Sequence, residues 1–385
     1  MPLLFGRNSS TQYHLHAQLR GHSGAVARLE ATADGTLLAS AGGDGTRVWD
    51  LSTMREIKSP SSSAFRGATT ALVWIKHEDD VNEPLFFGTQ NGQLVCWKQV
   101  QQKGPITFEE ISCVRVVEPA EITGLAFDAP SNRLAVCHRG GIIQVYTLGT
   151  TMSLTHVFTT ELYKFVPRAV AFGKMTGNER DLMVFGLYGG TIYTLRGPDG
   201  DKVEGETWTV GAHIGDVALD VGKGVVCMDD PFSGTNLYRL DDHSRIKSFR
   251  ISKKRGRGKR IRQVALLNEC TSIVSGSDHG IVYIFDRRTA DITDRLSINA
   301  DDWVQAVTAV ECAGTPTVFA AKSRENAGVN HIFVWRKNSG KSWSVGIASM
   351  GLACVGLIVL QVFVLVAAMS FMTQDVVSII PAYKM

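Results

Sequence analysis

The stretch from Gly21 to Asp50, GHSGAVARLEATADGTLLASAGGDGTRVWD, decides the fold. It opens on a Gly-His pair and passes through a Gly-rich turn around Asp44 into a strand that closes on Trp49 and Asp50. Gly at a turn permits a positive φ, and alternation of apolar and polar residues is typical of a strand with one buried face. The stretch therefore predicts short strands joined by tight turns.

The same pattern recurs six more times along the chain. Each unit has a short apolar run, a turn that contains Gly, and an alternating strand with an aromatic residue or Leu at its end. A near-constant period of this length predicts a repeat architecture whose units bury their faces against their neighbours. The end residues are separated by 48, 49, 49, 45, 45 and 50 positions: Trp49, Trp97, Tyr146, Leu195, Leu240, Phe285 and Trp335.

The first unit resembles one complete repeat of the WD-repeat family, because its Gly-His start, its Asp turn and its closing Trp-Asp stand in the family's order. The resemblance extends over about residues 13–337 and is weak in the third, fourth, fifth and seventh units. It implies a structural tetrad, a chain of hydrogen bonds between strands, rather than a catalytic dyad. Buried polar groups need partners, so such a tetrad fixes the register of a blade. Its members are His22, Ser40, Asp44 and Trp49.

The predicted fold is all-β: a seven-bladed β-propeller of the WD-repeat type, followed by a single C-terminal transmembrane α-helix. Residues 13–19 form an alternating strand before the first unit, whereas the last unit lacks an outer strand. Donation of this strand to the last blade would close the ring and leave no open edge. The predicted segments are a disordered leader (1–12), the propeller (13–337), a linker (338–344), the transmembrane helix (345–369) and a short tail (370–385).

An uncharged stretch follows the repeats, between Lys341 and Asp375. Residues 345–369 would form a helix of about 37 Å, longer than the hydrocarbon core of about 30 Å. Arg336 and Lys337 precede this span, so the positive-inside rule places the propeller in the cytosol. We expect a tail-anchored single-pass membrane protein, most simply of the endoplasmic reticulum. A buried core helix and an incorrect chain end are the alternative interpretations.

Forty Lys and Arg residues against 37 Asp and Glu leave a net charge of +3, too balanced for a chain whose whole surface binds nucleic acid. Residues 250–262, RISKKRGRGKRIR, are the local exception. They have three interpretations: a solvated loop, a contact for anionic lipid or an acidic partner, or a nucleic-acid or nuclear-localisation segment. The run contains no aromatic residue to stack on bases, which disfavours the third. Its cations are Arg250, Lys253, Lys254, Arg255, Arg257, Lys259, Arg260 and Arg262.

Motifs of catalysis are missing from the sequence, which has no G-x-S-x-G, H-E-x-x-H, P-loop or kinase signature. Seven Cys residues form no C-x-x-C pair, so neither a zinc site nor a disulfide framework is predicted. His14 and His16 would point to one face of a strand, but no third metal ligand is near in sequence. We therefore expect no enzyme activity, no cofactor and no metal.

The resemblance implies a rigid platform whose faces and rim loops bind other proteins, although fold alone does not name the partner. The expected function is a non-catalytic, membrane-tethered scaffold for protein-protein interactions. The alternative is a regulator or exchange factor of a small GTPase at a secretory-pathway membrane. The membrane-anchored propeller exchange factors of that pathway share the order of a propeller and one span, although no motif here matches theirs. A soluble nuclear propeller is a third, minor hypothesis.

Overall fold

The fold consists of seven antiparallel sheets of four strands each. The computed structural model describes residues 11–60, 64–76, 83–100, 105–116, 120–254, 256, 258–298, 302–323 and 329–338. The first strands of the seven sheets together line one central cavity, so the sheets are the blades of a propeller. The predicted all-β propeller with seven blades is confirmed.

The chain enters the fold through β1 (Tyr13–His22) and then forms six blades in succession. Blade 1 comprises β2 (Val26–Ala31), β3 (Leu37–Gly42), β4 (Gly45–Asp50) and β5 (Arg55–Ile57). A 3₁₀ turn, Ala64–Arg66, leads to blade 2, with β6 (Thr69–Trp74), β7 (Leu85–Thr89), β8 (Gln93–Val100) and β9 (Thr107–Arg115). Blade 3 comprises β10 (Ile122–Asp128), β11 (Arg133–His138), β12 (Ile142–Leu148) and β13 (Leu154–Glu161).

The second half of the chain continues this order, each blade running from its inner to its outer strand. Blade 4 comprises β14 (Pro167–Thr176), β15 (Glu179–Gly186), β16 (Thr191–Leu195) and β17 (Trp208–Thr209). Blade 5 comprises β18 (Val217–Asp220), β19 (Val225–Asp230), β20 (Gly234–Arg239) and β21 (Arg245–Arg250). Blade 6 comprises β22 (Val264–Leu267), β23 (Ser272–Ser275), β24 (Ile281–Asp286) and β25 (Ile292–Ser297). Blade 7 contains β26 (Val304–Cys312), β27 (Thr315–Lys322) and β28 (Asn330–Lys337).

The fourth strand of blade 7 is β1, which pairs with β28 from Tyr13 opposite Lys337 to His22 opposite Asn330. The predicted donation of the N-terminal strand is therefore confirmed, and the strand extends beyond the predicted residue 19 to His22. The donated strand completes the sheet of blade 7 and closes the ring, and the inner edge strands of the blades line the central channel, where they are protected from edge-to-edge association.

Apolar side chains fill the spaces between neighbouring blades. Trp49 packs with Leu19 and Phe319 between blades 7 and 1, and Trp97 packs with Phe87 between blades 1 and 2. These contacts explain the repeat, because each third strand places a large side chain against the adjacent blade. Six of the seven predicted end residues lie within third strands, and Leu240 directly follows β20.

The connections alternate between the two ends of the propeller, because successive strands of a blade are antiparallel. The loops between blades share one end with the turns between the second and third strands of each blade. We call this end the upper face and the opposite end the lower face. The cation-rich segment 250–262 connects β21 to β22 and therefore lies on the upper face.

The predicted transmembrane helix over 345–369 lies outside the described residues, as do residues 1–10 of the predicted leader and the predicted tail. Among the ranges given above, no helix combines the length and the hydropathy needed to cross a bilayer.

Candidate interaction surface

The predicted tetrad of blade 1 is brought together at the upper end of the blade. His22 Nδ1 lies 2.6 Å from Asp44 Oδ1, and His22 Nε2 lies 2.7 Å from Ser40 Oγ. Trp49 Nε1 donates to the same Ser40 hydroxyl at 2.8 Å. The four side chains thus connect the strand before blade 1 with the second and third strands of that blade. His22, Ser40 and Trp49 are buried and Asp44 is partly buried, and their mutual pairing gives the four a role in folding rather than in binding.

The carboxylate of Asp44 is held in its ionised form. Burial by itself raises the pKa of this carboxyl, but the hydrogen bond and charge of His22, the Ser23 N–H and the charge of Arg47 outweigh burial and lower the pKa well below its ordinary value. Because the folded-state pKa is depressed, the stabilisation by Asp44 is present above the ordinary pKa of 3.8 and is lost as the pH falls below it.

The Ser40 hydroxyl bonds both His22 Nε2 and Trp49 Nε1, so its removal leaves these two buried groups unpaired. We expect Ser40→Ala to lower the free energy of unfolding by about 1–3 kcal/mol, the cost of an unsatisfied buried polar group. Chemical denaturation of both proteins measures this difference. Ser52→Ala, which removes an exposed hydroxyl from the turn that follows β4, is the matched control. Equal losses in the two variants would contradict a special role for Ser40.

Other blades replace the tetrad with different polar pairs. In blade 2, Arg66 donates to both carboxylate oxygens of Glu110 at 2.7 and 2.6 Å, and Trp97 Nε1 lies 3.4 Å from one of them. In blade 6, His279 bridges Asp278 and Tyr283 at 2.6 and 2.8 Å. The loss of Gly-His and Trp-Asp from these units is thus compensated by charges and hydroxyls drawn from different sequence positions.

The structure divides the cations of segment 250–262 into two groups. Lys253, Lys254 and Lys259 are exposed on the loop, and Arg250 is exposed at the end of β21. Arg260 is half-buried, with its guanidinium carbon 5.3 Å from the ring centroid of Trp303. Arg255 and Arg257 lie outside the described residues.

The sequence-based assignment of Arg262 to a cationic surface that contacts an anionic lipid or partner is wrong, because this residue is not accessible. Its side chain is buried against blade 5, where Nε and Nη2 donate to Asp229 Oδ1 at 2.9 and 2.7 Å. Its backbone N–H donates to the other carboxylate oxygen at 2.9 Å. The chain enters blade 6 directly after this residue, so Arg262 is drawn inward to pair with Asp229. An anionic lipid or partner does not reach it.

Exposed aromatic side chains are concentrated on the upper face. Four Phe and Tyr side chains are classed as exposed among the described residues, and all four lie in upper-face loops or turns: Phe65, Tyr163, Tyr188 and Phe232. Aromatic residues are enriched at protein interfaces, where they bury a large area at a small cost in side-chain entropy. This distribution distinguishes the upper face from the lower face.

Two of these residues belong to a continuous row across blades 4 and 5. The ring of Tyr188 contacts His213 at a centroid distance of 5.5 Å, and His213 contacts Phe232 at 4.9 Å. Lys259 Nζ lies 3.6 Å from the centroid of Phe232, and Lys253 Nζ lies 5.7 Å from it. The cation-rich loop thus folds over an exposed aromatic ring. Such contacts are attractive because the ring face carries negative electrostatic potential.

The sequence interpretation did not single out Tyr188, His213 or Phe232. A signal was present, since GLYGG (186–190) and DPFSG (230–234) each place an aromatic residue at the tip of a Gly-containing turn between two strands. A turn tip is exposed, so an aromatic residue there is not explained by core packing.

The central channel carries a separate set of charges. Arg28 pairs with Asp216 near its upper end, and Glu30 lines the cavity of about 360 Å³ below. Burial raises the pKa of Glu30 to about 7, with the nearby Asp216 adding to this effect and Arg28 opposing it. Burial also lowers the pKa of Arg168, at the mouth of the channel, to about 10. The channel is therefore a poor environment for a charged group that lacks an oppositely charged partner.

Glu30 makes the stability of the propeller dependent on pH. The folded state keeps this proton up to a pH of about 7, whereas the unfolded chain releases it near 4.5. Between these pH values the folded state binds more protons than the unfolded chain, so the free energy of unfolding falls as the pH rises. We expect Glu30→Gln to be more stable than the parent at pH 8 by about 1–3 kcal/mol and equally stable near pH 4. Denaturation at several pH values measures this; Glu311→Gln, on the exposed part of blade 7, is the control.

No group of three His, Cys, Asp or Glu side chains within the described ranges is placed to hold a metal ion. The rings of His14 and His16 lie 6.2 Å apart on the outer strand of blade 7.

The comparisons with known proteins agree with the architecture. The family model for the WD domain, G-beta repeat, matches residues 13–50, which comprise β1 and the first three strands of blade 1. No curated protein matches the chain. The matched repeat is followed by six further four-stranded blades in a closed ring, so the described chain is a seven-bladed β-propeller whose first repeat is similar to the WD domain, G-beta repeat.

Proposed function

We propose that this protein is a non-catalytic scaffold for protein-protein interactions that binds its partners on the upper face. The observation that carries the proposal is the location of all four exposed Phe and Tyr side chains of the described residues on that face. The WD-repeat fold supports it, because a closed ring of blades holds loops in fixed positions for recognition.

Proximity labelling in cells tests this function. The full chain carries the labelling enzyme at its N-terminus, and the upper-face variant Tyr188→Ser/Phe232→Ser is compared with the control Leu15→Ser/Ile246→Ser. The control residues are also exposed but lie on outer strands. We expect the upper-face variant to lose specific partners that the control keeps. The same labelled proteins in all three samples would contradict the proposal.

The second part of the proposal is that residues 345–369 tether the propeller to the cytosolic face of a membrane. It is supported by the apolar composition of this segment and by the cations that precede it. Carbonate extraction and protease protection of the N-terminally tagged chain test the tether, beside a chain that stops after Lys341. We expect only the full chain to resist extraction, with its tag accessible to protease in intact vesicles. Solubility of both chains would contradict the tether.

A regulator of a small GTPase is the second candidate function, favoured by the order of a propeller and one apolar segment. Measurement of nucleotide release from a panel of small GTPases separates the two functions. A scaffold leaves every release rate unchanged, whereas an exchange factor accelerates release from one member of the panel.

A further inference from the structure

The upper surface of blades 4 to 6 combines aromatic rings with cations that form no ion pair among the described residues. We call it the blade 4–6 surface and define it by Tyr188, His213, Phe232, Lys253 and Lys259. Neither lysine forms an ion pair with any residue that the structure describes. Partial burial and the charges of Arg262 and Lys259 lower the pKa of Lys253, despite the opposing effect of Asp230 and Asp278. An added anion would relieve this repulsion.

A groove of about 670 Å³ continues the surface along the outer part of blade 5. Among the described residues, three cations line it, Arg245, Arg250 and Lys253, and no acidic side chain does. Thr235 also lines it, and the buried hydroxyl of this residue has no hydrogen-bond partner among the described residues. The groove thus presents hydroxyl and amide side chains beside its cations, which suits a polar ligand.

We infer that the blade 4–6 surface and this groove bind an acidic segment of a protein partner, with carboxylate groups at the cations and an apolar side chain against Phe232 and Tyr188. This inference rests on the proposed scaffold function and names the chemistry of the partner. The cations of the surface require a ligand of negative charge, and the aromatic rings supply the apolar contact that stabilises protein interfaces.

A protein segment fits this surface better than a membrane does. The cations are not arranged on a projecting edge, because they lie around an aromatic ring and along a recessed groove that also contains hydroxyl and amide groups. An extended peptide can follow the groove and place successive side chains at both kinds of contact. A flat layer of headgroups would contact only the exposed lysines and leave the groove unfilled.

Selection from a phage library of random peptides of about twelve residues tests the inference, with the purified full chain as target. We expect the selected peptides to be enriched in Asp and Glu together with an apolar residue. Fluorescence polarisation with the best peptide then measures affinity. We expect a loss of about 30-fold or more for Lys253→Glu/Lys259→Glu and about 10-fold for Phe232→Ala, together with weaker binding at about 0.5 M NaCl.

Two control variants lie on the same blade. Lys223→Glu reverses an exposed charge on the lower face, and Ile246→Ala removes an apolar side chain that is 39% exposed on the outer strand, close to the 41% of Phe232. We expect both controls to keep the parent affinity, and thermal melting of every variant establishes that it is folded.

Three results would overturn the inference. The selected peptides could show no enrichment in Asp and Glu, or the variants of the blade 4–6 surface could bind the acidic peptides with the parent affinity. The third result is that the protein binds the soluble lipid headgroup glycerophosphoserine more tightly than every acidic peptide. Each is distinguishable from failure of the scaffold function. If proximity labelling still detects partners that depend on the upper face, the scaffold function stands while the acidic ligand is rejected.

Discussion

Deletion of residues 11–22 is expected to lower the free energy of unfolding by about 5 kcal/mol or more, because it removes the outer strand of blade 7 and three buried side chains with it, those of Tyr13, Leu19 and His22. Tyr13 packs in the cluster between blades 6 and 7, and Leu19 packs in the cluster between blades 7 and 1. The strand therefore stabilises both interfaces of the last blade. A loss of this size is comparable to the whole stability of many domains.

The strand reaches both interfaces because its register shifts between Leu15 and Ala17. Side chains of a strand alternate between its two faces, so Tyr13 and Leu19, six positions apart, would point to the same side of an unbroken strand. A shift of one residue reverses the side. The alternating sequence YHLHAQL predicts a strand, but the position of this irregularity depends on pairing with β28 and is not visible in the sequence.

Two measurements separate the effect of the strand from a general effect of truncation. In trans, a synthetic peptide of residues 11–23 should restore the melting temperature of the deleted chain as its concentration rises. In cis, Leu19→Ala should lower the free energy of unfolding by about 2–5 kcal/mol, whereas Leu15→Ala, on the same strand but 47% exposed, should change it little. Equal effects of the two substitutions would contradict the packing argument.

Periodicity and turn chemistry predicted the architecture because both are local properties. The end residue of each unit is apolar since it faces the preceding blade, as Trp97 of blade 2 does in the cluster that it shares with Ala39 and Val48 of blade 1. Gly141, with a φ of 90°, stands in a turn where a Cβ would lie 2.4 Å from the carbonyl oxygen of Leu162. Such positions keep Gly even where Gly-His and Trp-Asp are lost, so seven units remained recognisable.

Outside blade 1, the polar contacts that join the strands could not be predicted in the same way, because no motif marks their partners. Arg66 and Glu110 are 44 positions apart, and the pair holds blade 2 without any family signature. The sequence identifies segment 250–262 by its many cations and treats them alike, whereas in the structure the last of them, Arg262, is buried. Whether a charge in such a run is a surface residue depends on where the next strand begins, here at Val264.

The pair of Arg262 and Asp229 gives the second large expected effect. Arg262→Ala should lower the free energy of unfolding by about 3–5 kcal/mol, because it leaves the buried carboxylate of Asp229 without its charged partner. Burial already raises the pKa of Asp229 to about 6 in the presence of the arginine, whose charge and hydrogen bonds lower it. Without these contacts the carboxyl is expected to take up a proton at a higher pH. Urea denaturation at pH 7.5 measures the loss.

The double variant Arg262→Met/Asp229→Leu is the decisive comparison. The double variant leaves no unpaired charge in the interior, whereas Arg262→Ala leaves the carboxylate of Asp229 buried without a partner. The double variant should therefore be more stable than Arg262→Ala by about 2 kcal/mol or more. Arg139→Ala, which breaks a pair with Glu121 at an exposed site, should cost about 1 kcal/mol or less. Equal losses in the double variant and in Arg262→Ala would mean that the side chain acts by filling space rather than by pairing its charge.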